Sequence, residues 1–302
     1  MRRAFEKYLL FMAVLLFPLH CLGAEAVKFK HVVSIYVDEK GGSMRLPEGV
    51  ACDDKSRVVV ADTGNGRLLR FTFQDGTAKG GAEIKVPQLI YPVRVQMNSK
   101  GEIFALDGKE RRIVRLNPEG AFAGYVEPQG VPEAAAFVPR SFKVDSGDNI
   151  YILDILSNRV LVLDPAGKFQ RQIPFPEKFG FFSDLAVNAK GDVLLIDSVA
   201  ATVSIAAKGA TSFTPLTKEM HEYMDFPTYI TTDKRGMIYL VDQNGDGIIT
   251  IGQDGSFQGR QLSLGWKDGL LYYPSQVCMN GAGNFFIADR NNSRVQVFEM
   301  SR

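Results

Sequence analysis

An aspartate that follows a short apolar run recurs at Asp62, Asp107, Asp154, Asp197, Asp242 and Asp289, at intervals of 45, 47, 43, 45 and 47 residues. Self-similarity at a period of about 20 to 50 residues marks a repeat architecture, so any fold must accommodate six copies of one unit. Fifteen residues before the aspartate stands a proline in five copies (Pro47, Pro92, Pro139, Pro227, Pro274), with Phe182 in the fourth. Three residues after that position come Val50, Val95, Phe142, Leu185, Ile230 and Val277, and the aspartates are preceded by VVVA, IFAL, IYIL, VLLI, IYLV and FFIA. Two strands are expected, reversing at Gly101, Gly191, Gly236 and Gly283, and one residue away at Gly147 in the third copy. A third strand begins at Leu68, Ile113, Val160, Val203, Ile248 and Val295, and turns such as Asp75-Gly76 and Asp254-Gly255 lead into a less regular fourth.

Runs such as VVVA and FFIA are apolar at successive positions, so both faces of each small sheet need cover. Neighbouring copies packed around an axis supply it. The expectation is an all-β chain: a six-bladed β-propeller of four-stranded antiparallel blades, starting near 46, 91, 138, 181, 226 and 273 and occupying 27–302. The sixth copy stops at Arg302 without a fourth strand, and residues 28–37 read as an orphan strand that closes the last blade.

The last copy reads Tyr273-Pro274, then Gly283-Asn284-Phe285-Phe286-Ile287-Ala288-Asp289, Asn291 and Arg294-Val295-Gln296-Val297-Phe298. This pattern resembles the NHL repeat, and the resemblance extends from about Pro47 to Phe298. It implies the propeller and little about activity, because that family includes binding modules, sensor domains and a few enzymes. Four copies carry an Asp-x4-Arg pair (Asp62/Arg67, Asp107/Arg112, Asp154/Arg159, Asp289/Arg294), while Thr202 and Gly247 replace the arginine in copies four and five. The pair is read as structural: the carboxylate takes turn amides and a charge-assisted bond from the arginine.

Residues 1–26 have the layout of a secretory signal: Arg2, Arg3 and Lys7, an apolar run from Tyr8 to Leu19, then Gly23, Ala24 and Ala26. Arg2-Arg3 also suits twin-arginine export, and Cys21 is a weaker match to a lipidation site because His20 precedes it. The mature chain is expected to be exported, periplasmic or extracellular, without a transmembrane segment, and monomeric. A net charge of +1 offers no field for a phosphate backbone, so no nucleic-acid partner is expected.

Asp242-Gln243-Asn244-Gly245-Asp246-Gly247 places Asp242, Asn244 and Asp246 at calcium-loop spacing, although Gln253 stands where a bidentate glutamate would and Asn-Gly and Asp-Gly are also hairpin turns. Calcium is therefore the one cofactor considered. Inner-strand positions read mostly as Val, Ile, Met, Ala and Thr, with no polar constellation expected at the axis. The resemblance extends to propeller lyases that use channel histidines, but His20, His31 and His221 are scattered. Linker aromatics Tyr91, Phe137, Phe179, Tyr223, Phe226, Trp266, Tyr272 and Tyr273 gather on one face of such a ring. Part of this set suits inter-blade packing; Tyr223, His221, Glu222, Trp266 and Tyr272 are the candidate contact residues. Cys52 and Cys278 lie on the innermost strands of adjacent blades, where a disulfide and two buried thiols are both open. The function read from this is protein binding or scaffolding in the envelope or outside the cell; the alternative is a metal-dependent lyase or lactone hydrolase.

Overall fold

The computed structural model describes residues 27–132, 136–176 and 180–301; the expected leader over 1–26 and Phe179 lie outside them. It is the expected six-bladed propeller, with inner strands Gly49–Cys52, Pro92–Met97, Pro139–Val144, Phe182–Val187, Pro227–Thr232 and Pro274–Met279 around the axis. Strand order follows the chain in five sheets. In the sixth, the outermost strand is Lys28–Ile35, paired antiparallel with Arg294–Ser301 from Lys28 opposite Ser301 to Ile35 opposite Val295.

The core lies between blades. Side chains alternate across a strand, so Val58 and Val60 pack towards Phe286, Ala288, Val295 and Val297 of the last blade. Val59 and Ala61 face the other way, onto Val95, Ile103, Ala105 and Val114 of the second. That alternation explains why the run is apolar at every position, each full side-chain burial contributing about 1.5–3 kcal/mol.

Turns depend on a register not foreseen in the sequence. Six residues past the repeat proline stands Asp53, Asn98, Asp145, Asn188, Asp233 or Asn280, whose Oδ1 accepts at least two backbone N–H groups of the following hairpin. The hairpin glycines Gly101, Gly191, Gly236 and Gly283 are left-handed, with φ from 78° to 85°. In the third blade the glycine comes one residue off, and Asp148 takes the left-handed position with φ 62°.

The repeat aspartates do the structural work expected, with one correction. Nε of Arg67, Arg159 and Arg294 donates to Asp62, Asp154 and Asp289 at 2.7, 3.1 and 2.7 Å. Arg112 does not pair with Asp107; it is exposed and lies over the Tyr125 ring. Burial alone would raise the Asp107 pKa, but the amides of Glu110, Tyr91, Ile90 and Lys109 together hold it below the usual carboxylate range. In the fifth blade, where Gly247 replaces the arginine, Arg260 of the outer strand donates instead to Asp242 at 2.7 Å and to the Gly245 and Tyr223 carbonyls. Arg260→Ala is therefore expected to cost about 2 kcal/mol by stripping a buried carboxylate of its cation. Arg112→Ala should stay within about 0.5 kcal/mol in the same urea titration.

Candidate functional site

In an antiparallel meander, the linker entering each blade and the turn after its repeat aspartate lie on one face of the ring, and the two hairpins lie on the other. Ten large hydrophobic side chains stand well exposed among the described residues. Nine belong to the linker face: Tyr36, Val37, Ile90, Leu156, Phe181, Val199, Leu264, Trp266 and Tyr272; the tenth, Phe122, is on an outer strand. Phe122, next to the 117–121 turn, is the one of the ten at the hairpin end, which makes the two sides of the ring chemically unlike.

Trp266, 78% exposed, is the extreme case. Its loop is held from beneath by Arg294, only 1% exposed, whose Nη2 donates to the carbonyls of Lys267 and Leu270 at 2.8 and 2.9 Å. Nη1 of the same guanidinium donates to Asp268 and to the Tyr36 hydroxyl. Gln296 Nε2 donates to the Leu270 carbonyl and Asn292 Nδ2 to that of Gly265. The Asp268 carboxyl sits below the usual range because Ser34 donates to it, against partial burial, with Tyr36, His31 and Arg294 adding to the effect. A large indole is thus presented on a backbone fixed by buried donors.

The other sequence-predicted contact residues divide between two linkers. Tyr272 is exposed, and its amide is bound by Asp289. Tyr223 stacks on Phe257 with ring centroids 3.9 Å apart, and its hydrogen bond to Glu222 pushes the phenol pKa up. His221 and Glu222 are exposed on that same linker.

Asp242, Asn244 and Asp246 have different surroundings. Asp242 is fully buried and accepts the amides of Asp225 and Phe226 besides Arg260, Asp246 accepts the Tyr273 amide at 2.5 Å, and Asn244 is exposed. Among the described residues, no three His, Cys, Asp or Glu side chains are grouped as a metal would require. Burial, and then the charges of Asp242 and Asp289, raise the Asp246 pKa despite the Tyr273 amide. A carboxylate with a raised folded pKa weakens the fold at neutral pH and ceases to do so as pH falls through that value. Asp246→Asn keeps an acceptor oxygen and removes the charge, so its melting temperature at pH 7 should equal or exceed that of the parent, with or without calcium. A calcium-dependent rise in the parent that the variant lacks would instead establish an ion site.

The axis departs from expectation. Polar side chains at the second and fourth positions past the repeat proline meet there: Arg94, Ser141, Lys143, Asp184, Tyr229 and Gln276. Asp184, fully buried, accepts Ser141 Oγ at 2.5 Å and the Ile230 amide at 2.9 Å, with Lys143 Nζ at 3.3 Å. Lys143 Nζ sits 3.5 Å from the Tyr229 ring centre, and Arg94 reaches across to Ser275 Oγ at 3.0 Å. Gln276 bridges the last blade to Val95 of the second, donating from Nε2 and accepting at Oε1. Gly49 makes room for it, since a Cβ there would lie 2.9 Å from Ala61 Cβ and 3.1 Å from Gln276 Oε1. The signal was legible as non-apolar residues at two fixed repeat positions, but it becomes a cluster only when the ring closes. Its donor set does not fit a channel metal: Asp184 is the one carboxylate in the cluster and no imidazole joins it, His31 being on the closing strand and His221 in a linker. Cys52 and Cys278 are joined in a disulfide, Cα atoms 6.0 Å apart.

The NHL-repeat family model matches residues 271–298, so the chain carries an NHL repeat in its last blade. No curated protein matches it in sequence. Among solved structures it is similar to a streptogramin B lyase, with a TM-score of 0.66 and 12% identity over 91% of this chain and 98% of that one. It is also similar to a gluconolactonase from Xanthomonas campestris, with a TM-score of 0.66 and 13% identity over 91% and 90%. A chain of a nidogen/laminin complex aligns with a TM-score of 0.60 and 14% identity over 78% and 92%. At these identities the likeness is one of fold.

Proposed function

We propose that this NHL-repeat propeller is an exported binding ring, which docks a protein partner of the envelope or extracellular space on its linker face through Trp266. One observation carries the proposal: the chain's single tryptophan is 78% exposed on a loop locked by a buried arginine. Exposed aromatics contribute most to an interface when they are large and already held in place, because little ordering entropy remains to be lost. The concentration of exposed apolar groups on one face supports the same reading, as does a propeller of this shape in a nidogen/laminin complex. Export is supported by the charged, apolar and small-residue succession within residues 1–26 and by the disulfide.

The test is crosslinking of the tagged chain in its native host, with captured proteins identified by mass spectrometry. Trp266→Ala should weaken capture by about 30-fold, the effect of losing roughly 2 kcal/mol at an interface hot spot, while the melting temperature stays put. Undiminished capture by that variant would remove the linker loop from the interface. The second reading, hydrolysis or elimination on a lactone, is supported by the lyase and gluconolactonase likenesses and by the buried Lys143–Asp184 pair. Turnover of lactones abolished by Asp184→Asn would favour it.

A further inference from the structure

A cavity of about 230 Å³ opens among the second halves of the inner strands, towards the hairpin face and away from Trp266. Lys143, Tyr229, Gln96 and Thr231 line it, with the Cys52–Cys278 disulfide in its wall. Lys143 is 6% exposed, and its ammonium, though 3.3 Å from Asp184, is in no hydrogen bond. Nε of Arg94 is likewise buried without a partner, and that guanidinium also approaches the Tyr229 ring, at 5.7 Å. The axial cluster therefore holds two cations, Arg94 and Lys143, against one carboxylate, Asp184. A buried ammonium held by one ion pair at 3.3 Å and a ring face, with no hydrogen bond, has donors left for a further acceptor.

We propose that this cavity binds a compact carboxylate monoanion, with Lys143 as its cation. One unit of negative charge balances the cluster, whereas a phosphate dianion would overshoot it. The space equals that of about eight liquid waters, room for an acid of a few carbons. The flexible lysine stem lets the ammonium swing from the Tyr229 ring to the ligand oxygens. Gln96 and Thr231 then supply donors for the second oxygen or a hydroxyl. Because the cavity faces the hairpin side, this site and the proposed docking face succeed or fail separately.

The experiment is titration calorimetry of the oxidised mature ring with sodium lactate and, in a parallel arm, with inorganic phosphate. Lactate is expected to bind with one-to-one stoichiometry and more tightly than phosphate. Lys143→Met, which keeps the stem, and Thr231→Met, which fills the cavity from another wall without changing charge, should each weaken it at least about 10-fold. Thr231→Met carries the test if Lys143→Met does not fold. Absence of lactate binding up to about 50 mM, tighter binding of phosphate, or unaltered binding in a folded variant of either kind would overturn the assignment.

Discussion

A chain that begins at residue 38 should fail to close its ring and is expected to aggregate on expression, whereas one that begins at residue 27 should fold. The strand lost, Lys28–Ile35, pairs with its neighbour from Val295 to Ser301, so its removal leaves a long unpaired edge. It also uncovers the cores on both sides of the last blade: Ile35, with Val32 and Val33, packs towards the first blade, and Phe29, towards the fifth, contacts Phe285 and Phe298 at ring-centre distances of 4.9 and 6.0 Å. Loss of even partial burial for these side chains amounts to roughly 5 kcal/mol, comparable with the whole net stability of many domains. The disulfide between inner strands cannot compensate, because it ties the two blades at the axis while the defect is at the rim. Size-exclusion chromatography of the two truncated chains decides the matter; a soluble monomer from residue 38 onward would show that the other five blades sustain the ring alone.

Arg294→Met should be the most damaging single substitution of a charged residue, costing about 3–5 kcal/mol. It leaves Asp289, fully buried, without its cation and releases Asp268 and the carbonyls of Lys267 and Leu270 together. The drop in melting temperature should be roughly 10 °C, at a few degrees per kcal/mol for a chain of this size. The same change should loosen the Trp266 loop, which fluorescence anisotropy of the sole tryptophan reads directly. Arg67→Met is the informative control. In the first blade Arg67 pairs with Asp62, Asp38 and Glu83, so stability should also fall, but Trp266 should keep its anisotropy. Loss of stability with unchanged anisotropy in both variants would refute the role of Arg294 as the anchor of the loop.

Much of the architecture was legible because a repeat averages out local ambiguity. A single apolar run before an aspartate is compatible with several folds; six of them at a near-constant interval, each too apolar for a one-sided sheet, demand stacked blades. The ring-closing strand was legible for the same reason, as a missing fourth strand at one end and an orphan at the other. Arg112 was the misleading member: its spacing matches the repeat, yet four amides already satisfy Asp107 and the guanidinium turns to Tyr125. Arg260 was invisible for the complementary reason, since it reaches Asp242 from a strand with no repeat signature.

The number of blades, their strand order and the closure at the N-terminus follow from the order of residues alone, because periodic burial is a property of local spacing. What meets at the axis and what is held at the surface depends on the closed ring. Cys52 and Cys278, 226 residues apart in sequence, face one another only because blades one and six are neighbours in the closed ring. Arg94, Lys143, Asp184 and Tyr229 come from four blades, and Trp266 owes its fixed position to Arg294, which lies beyond the next two strands. Such contacts depend on side-chain direction across blade boundaries, and no one-dimensional spacing encodes that.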